Sequence, residues 1–352
     1  SSGGRGAAGP LGLEVLGALS RRYTVSAGGR TAGMAASASF VLFLIASHMT
    51  VSSTMLVLNK AVLARLPVAT TVLLFQVGSS ALILWVLGKA KVLSVDAFEF
   101  QTAKAFFWNA AAFMALIYSN AKALQHANVE TVVAVRTLSI FVTAYGDFRL
   151  LSVKALDARA FGALCMVSGG AVGYFLSGGG MKADTNMFWV LAYGATNAAY
   201  PIVTKLVMLS RAMTSWGRTY YNNLLTFLIF VPAALILRED QKVAHLQDDG
   251  AVNTVSVALL ALSCVWGTAI SFLGFLCLDN VTATTFNLMG NVNKILTLVV
   301  NGMLGDSRSP LLGNVCLVVS LVGAGLYGDA RRRQAAAAEP SNGGGGRISR
   351  VG

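Results

Sequence analysis

Six residues in one apolar stretch of this chain carry chemistry that packing alone does not call for. Asn287, Gly290, Asn291, Lys294, Thr297 and Asn301 recur at spacings of three and four. On an α-helix such spacings share one face. Asn293 falls off that face, because each residue turns the helix by about 100°. Amides, glycine and threonine serve as glue between membrane helices, and that reading stays open for the asparagines. It does not explain a lysine at the midpoint. A lysine at the centre of a bilayer costs about 2.5–3.5 kcal/mol on insertion scales. Its natural partner is an anion that comes and goes.

A second group is Arg218-Thr219-Tyr220-Tyr221-Asn222-Asn223. Tyrosines at a membrane interface commonly form an aromatic belt. The two asparagines do not fit a belt. A primary amide holds two donors and an acceptor, so it can read the edge of a nucleobase. For guanine, the side-chain carbonyl would accept from N1–H and the exocyclic amine, and the NH2 would donate to O6. Adjacent residues cannot both face one point on an ideal helix, so one would support the other. Two further stripes have helical spacing. Ser263, Gly267, Ser271 and Gly274 form a small-residue face suited to packing. His48, Ser52 and Asn59 share another face, where the histidine is either a satisfied interior group or a ligand contact.

Several activities are excluded by what is missing. Cys165, Cys264, Cys277 and Cys316 show no C-x-x-C spacing, and His48, His126 and His245 are scattered. Neither a disulfide framework nor a metal site follows. The chain has no H-E-x-x-H, Walker or G-x-S-x-G motif. Gly178–Gly180 is a weak phosphate cradle. We therefore expect no metal, no cofactor and no enzyme activity, and not an ATP-driven pump. A sparse polar interior suits a secondary transporter.

These residues need elements to position them, and composition says which. The chain has 352 residues, 55% apolar and 12% charged, with mean hydropathy +0.65. Soluble domains carry about 25% charged residues, so a soluble multidomain protein is excluded, as is a disordered chain. Apolar segments of about 20 residues, the length that spans a bilayer, run at 40–63, 68–88, 105–124, 128–146, 158–178, 186–209, 218–237, 254–276, 281–304 and 309–328. Alternating strand patterns of a barrel are absent. The expectation is an all-α polytopic membrane protein with ten transmembrane helices over residues 40–328. Residues 1–39, rich in Gly, Ala, Ser and Arg, read as a flexible cytosolic segment or a transit peptide. Residues 329–352 read as a flexible basic cytosolic tail.

The net charge of +12 would suggest nucleic acid if its basic residues formed soluble runs; they do not, and no nucleic-acid partner is expected. With both termini cytosolic, seventeen basic residues fall on the cytosolic side and five on the other, as the positive-inside rule favours. Five more lie in helices: Lys60, Lys122, Arg136, Lys205 and Lys294, against Glu130 as the one helical acid by these spans. Lys60 and Lys122 sit near helix ends and can snorkel. Arg136 and Glu130 are six residues apart, on different faces.

Tyr220-Tyr221-Asn222-Asn223 resembles the F-Y-N-N motif of GDP-mannose transporters, and Gly290-Asn291-Val292-Asn293-Lys294 resembles their G-A-L-N-K motif. They open the seventh segment and lie within the ninth. The resemblance covers about residues 40–328 and implies the drug/metabolite transporter fold, with two inverted five-helix repeats. No convincing similarity links residues 40–178 to 186–328, so the repeat rests on helix count and resemblance. What it implies is a Golgi antiporter that imports a GDP-sugar, GDP-mannose first, against lumenal GMP. Asn222 and Asn223, with Tyr221 in the same motif and Ser271 nearby, would bind guanine. Lys294 would meet the phosphates, and Gly290 would let the sugar approach, with Asn287 and Asn291 on the same helix. Phe286 and His48 fall where fungal members carry tyrosines near the sugar. Tyr220 replaces the motif phenylalanine, and Asn291-Val292 replaces Ala-Leu. The departures gather at the sugar end, so the nucleotide is the better supported half of the cargo. A plastid phosphate/triose-phosphate translocator and a UDP-sugar transporter are the neighbouring alternatives. A receptor or scaffold would have little use for Lys294, and an enzyme on lipid-linked sugars would lack an acidic pair. The oligomeric state is left open, with a homodimer as one arrangement.

Overall fold

The computed structural model describes residues 38–127, 129–177, 187–236, 252–303 and 311–337, with isolated positions at 238, 243, 244 and 247. The expected N-terminal segment lies almost wholly outside them. Ten helices of twenty or more residues run through the described residues: α1 (Ala38–Arg65), α2 (Ala69–Lys89), α3 (Phe100–His126), α4 (Val129–Leu150), α5 (Ala158–Ser177), α6 (Met187–Ser210), α7 (Ser215–Ile236), α8 (Thr254–Asn280), α9 (Ala283–Met303) and α10 (Leu311–Ala336). No strand occurs among these residues.

Seven of the helices are long and apolar enough to cross a membrane. The other three are α3, α6 and α9. They carry Asn109, then Asn197 and Thr204, then Asn287, Asn291 and Asn293, all buried. These amides and the threonine are turned inward, whereas Gln101, Lys104 and His126 near the ends of α3 are exposed. The surface is the converse, with Phe43, Trp85, Trp108, Phe188 and Ile236 all exposed. Apolar side chains outside and hydrogen-bonded amides inside suit a bilayer, where polar groups must find partners within the protein.

Helix ends are satisfied locally where the sequence offers a cap. Asn253 accepts from Ser256 N at 3.0 Å to start α8. Asp157 accepts from Ala160 N at 2.8 Å to start α5. The Thr214 hydroxyl accepts from Gly217 N at 3.0 Å to start α7. Helix α9 takes its cap from another helix. Asp147 of α4, 3% exposed, accepts from Thr284 N at 2.7 Å and Ala283 N at 3.3 Å, and the Thr284 hydroxyl donates to it as well.

Helices pack as α1 with α8, α3 with α6, α2 with α7, α4 with both α6 and α9, and α5 with α10. The last pair is backbone against backbone. A Cβ on Gly170 would lie 2.4 Å from the Cys316 carbonyl oxygen, and one on Gly323 would lie 2.9 Å from Val167 N. Ser320 Oγ donates to Val167 O at 2.9 Å across the same contact. Small residues permit this approach where lipid supplies no hydrophobic drive.

The helices outrun several of the apolar spans, and this corrects the reading of Glu130 as the one helical acid. Helix α4 takes in Asp147, α8 takes in Asp279, and α10 takes in Asp329 and Arg331–Arg333. An apolar count stops at the last apolar residue, whereas a helix continues while its polar side chains have partners. Asp279 pairs with Arg218, which is 7% exposed. Asp329 pairs with Arg333 one turn on, at 2.7 Å. The first part of the expected tail is thus helical.

Candidate functional site

Helix α9 presents its polar residues to different neighbours. Asn287 donates to Thr143 Oγ1 of α4 at 2.8 Å and accepts from Asn197 Nδ2 of α6 at 3.0 Å. Asn197 also donates to Ser139 Oγ at 2.8 Å. Asn293 turns the other way, donating to Ser52 Oγ of α1 at 3.1 Å and accepting from the Ser53 hydroxyl. The helical spacing anticipated this divergence. Asn291 is 1% exposed, and neither atom of its amide has a hydrogen-bond partner. Leaving a buried polar group unpaired costs about 1–3 kcal/mol. The Lys294 side chain lies outside what the structure describes; its backbone is helical, one turn beyond Gly290.

Arg136 is the member that sequence reasoning weighed against Glu130 on its own helix. The structure turns it from α4 toward α6 and α9. Its Nη1 donates to the Tyr193 hydroxyl at 3.1 Å. A Cβ placed on Gly290 would lie 2.4 Å from its Nη2. Its Nε is buried without a hydrogen-bond partner. The guanidinium therefore meets α9 at the one residue of the stripe that lacks a side chain. The Glu130 side chain is not among the described residues.

The two asparagines of α7 diverge by the angle that adjacency dictates. Asn222, 2% exposed, accepts from Asn109 Nδ2 at 2.7 Å, and Asn109 accepts from Thr204 Oγ1 at 2.7 Å, a chain that links α7, α3 and α6. Asn223 donates to Ser80 Oγ at 3.0 Å, to its own helix at Thr219 O, and to Ser271 Oγ at 3.1 Å, which links α7, α2 and α8. Ser271 and Asn223 are thus brought together. Tyr221 is fully buried among Phe106 and Phe275. Its hydroxyl donates to Ala97 O at 2.8 Å and accepts from Glu99 N. That side chain braces the connection between α2 and α3.

His48 and Phe286 meet, with ring centroids 5.4 Å apart. Gly274 lies against both, its Cβ position 3.8 Å from His48 Nε2 and 3.9 Å from the Phe286 ring. The small-residue face of α8 thus touches α1, α7 and α9. Its first member, Ser263, accepts from Gln76 Nε2 at 3.0 Å, and Gln76 also donates to Asn59 Oδ1 at 2.8 Å. Gln76, Asn109, Asn197, Tyr193 and Asp147 escaped sequence reasoning. The signal available for three of them was an amide inside an apolar segment. Among the described residues, no group of three or more His, Cys, Asp or Glu side chains could hold a metal.

These features define a helical membrane protein with an apolar exterior and a hydrogen-bonded amide interior. Comparison with known proteins is specific about the kind. The chain is 29% identical over 260 residues to GDP-mannose transporter GONST3 of Arabidopsis thaliana, covering 73% of this chain and 70% of that one. It is 29% identical over 269 residues to GDP-fucose transporter 1 of Arabidopsis thaliana, covering 76% and 79%. To the GDP-mannose transporter of Schizosaccharomyces pombe it is 27% identical over 271 residues, covering 74% and 77%. The likeness to GDP-mannose transporters thus holds along most of the chain, well beyond the two motifs. No family model matches it. A protein of solved crystal structure superposes with TM-score 0.62 at 15% identity, over 84% of this chain and all of that one, a likeness of fold alone.

Proposed function

We propose that this protein carries a GDP-sugar across a membrane by alternating access. GDP-mannose is the first cargo to test, entering the Golgi lumen in exchange for GMP. The observation that carries the reading is Arg136, set against Gly290 between α4, α6 and α9 with its Nε unpartnered. Lys294 follows on the same face of α9 by spacing. Two cations in a membrane interior call for an anion between them, and a diphosphate meets that need. The relatives' names, GDP-mannose and GDP-fucose transporter, point to guanosine as the nucleoside.

The charges also account for exchange. An empty carrier would move buried cations through a low-dielectric state, at a cost in kcal/mol per charge. A carrier holding phosphate moves a neutralised site. GDP-sugars carry roughly two negative charges, and GMP nearly as many, given a second phosphate pKa near 6, so exchange is close to electroneutral. We read the ten helices as transmembrane and as two inverted five-helix repeats. The pairing supports this. Adding five to each number turns the α1–α8 pair into α6–α3, while α2–α7, α4–α9 and α5–α10 map onto themselves; the α4–α6 contact maps onto a smaller one between α9 and α1. Hydrogen-bonded triads follow the same rule: Asn59, Gln76 and Ser263 lie on α1, α2 and α8, and Thr204, Asn222 and Asn109 on α6, α7 and α3. Orientation with both ends cytosolic rests on the distribution of basic residues.

The test is uptake into liposomes of purified protein, preloaded with GMP. The expected result is accumulation of GDP-mannose or GDP-fucose that UDP-sugars and inorganic phosphate do not compete. Competition by inorganic phosphate, with none by GMP, would replace this reading with that of a phosphate translocator.

A further inference from the structure

One end of the bundle carries two basic corners that the structure treats differently. Asp147 joins the end of α4 to the start of α9, and the Arg218–Asp279 pair joins the start of α7 to the end of α8. The corners therefore lie at the same end. In the first, where α2 meets α3 and α6 meets α7, acids answer the two arginines, while Lys89 and Lys91 stand exposed beside them. Arg218 pairs with Asp279, Arg211 lies 3.9 Å from Glu99, and Asp96 accepts from Thr214 N at 2.9 Å. Lys104 sits over the Phe100 ring at 4.9 Å.

In the second corner one of six basic residues, Arg333, is answered by an acid, Asp329. Arg149 ends α4, Lys154 lies in the connection, Arg159 begins α5, and Arg332 and Arg333 stand on the last turns of α10; all five are exposed. Arg331 is half-buried and donates to Gln334 Oε1 at 2.7 Å. These elements form one surface. Ala160 and Ala330 pack in one apolar cluster with Leu156 against it, and Gln334 reaches the Ala155 carbonyl at 3.5 Å. The nearby acids are already engaged. Asp157 caps α5, Asp329 pairs with Arg333, and Asp147 faces inward onto α9. On the membrane side of this rim, Tyr145, Phe148, Leu150 and Phe161 are exposed. An apolar and aromatic belt below a basic rim is the arrangement of a headgroup interface.

We propose that this rim binds the headgroups of anionic phospholipids in the adjoining leaflet. Basic residues beside a membrane attract anionic lipid with an energy that adds per charge. Here the arginines of α10 are held by a helix and by side-chain bonds, so less order is lost when lipid arrives. The second corner is also continuous with the lipid-facing sides of α4 and α5, so a phospholipid reaches it without leaving the bilayer. The rim stands apart from the polar interior and is independent of the cargo.

The full chain would be placed in nanodiscs of phosphatidylcholine, alone or with phosphatidylserine at about 20 mol%. Retained phosphatidylserine would be counted by native mass spectrometry, and thermal unfolding followed. Phosphatidylserine should raise the unfolding temperature of the unaltered protein. The combination Lys154→Gln, Arg159→Gln and Arg332→Gln should lower retention by about fivefold per charge removed, with unfolding unchanged in phosphatidylcholine alone. The charge-preserving set Lys154→Arg, Arg159→Lys and Arg332→Lys should retain lipid, as should Arg211→Gln at the first corner, where Glu99 already answers the charge. Full retention by the neutral set would overturn the proposal. So would equal loss in the charge-preserving set or at the first corner, or a thermal shift produced by inorganic phosphate without anionic lipid.

Discussion

Replacing Gly290 by alanine separates a binding role for the Arg136 contact from a folding role. The new Cβ would stand 2.4 Å from Arg136 Nη2 and 3.5 Å from Cζ, where ordinary contact begins at 3.4 Å. The guanidinium must therefore retreat by about 1 Å, a subtraction of those distances that treats the side chain as rigid. Its bond to the Tyr193 hydroxyl, 3.1 Å long, is weakened by such a shift. A guanidinium displaced in this way would also lose its proposed hydrogen bond to the phosphate of the cargo; a hydrogen bond to a charged group is worth about 1.5–3 kcal/mol, which is about tenfold to a hundredfold in affinity. The obstructing atom is the free end of a flexible side chain, so the backbone has no need to move. Alanine in place of glycine within a helix also gains about 0.5–1 kcal/mol. The two effects on stability oppose each other, so Gly290→Ala should change the unfolding temperature little while raising the KM for the GDP-sugar by at least about tenfold. The assay is uptake into GMP-loaded liposomes alongside thermal unfolding. Gly162→Ala and Gly169→Ala, where a Cβ meets nothing within 4 Å, serve as controls. Adding Arg136→Lys to Gly290→Ala should recover part of the loss, since an ammonium is more compact than a guanidinium. A wild-type KM in Gly290→Ala, or a loss matched by lower folded yield, would refute the reasoning.

Three further outcomes follow from the same geometry. Lys294→Ala should abolish exchange while the protein remains folded, measured by counterflow of labelled GDP-mannose; normal exchange would remove the lysine from the phosphate site. Asp147→Ala leaves the start of α9 without its inter-helix cap and should lower stability by about 1–3 kcal/mol, read by thermal unfolding, with Asp147→Asn intermediate. Gly170→Ala would press a Cβ onto the Cys316 backbone and should cost about 1–3 kcal/mol as overpacking does, with an unchanged KM in whatever protein folds; a stable Gly170→Ala variant would show that α5 and α10 can part more easily than their contact suggests.

The helices were legible because each is a local statement. A window of apolar residues long enough to cross a bilayer marks itself, and the ends of α2, α5, α6 and α8 began close to where those windows begin. Polar ends were the less legible part. Asp147, Asp279 and Arg331–Arg333 read as loop or tail, yet their helices continue through them because each acid finds a partner. The candidate site divided in the same way. The divergence of Asn293 from Asn287, and of Asn222 from Asn223, follows from helical angle alone. The identity of their partners does not. Asn109 and Asn222, or Gln76 and Ser263, lie on helices far apart in the chain, and no local pattern brings them together.

By itself, then, the sequence determined the membrane class, the helix positions, the polar faces and a likeness to GDP-mannose transporters. These depend on hydropathy, on a rotation of about 100° per residue and on short motifs, all read along one segment at a time. The tertiary structure decided that Tyr221 braces a connection, that α9 is capped by Asp147, and that Arg136 lies against Gly290. Helix packing is the physical reason. In a bilayer, close contact between small residues and the search of buried polar groups for partners settle which faces meet, and both are properties of pairs of helices that no single segment contains.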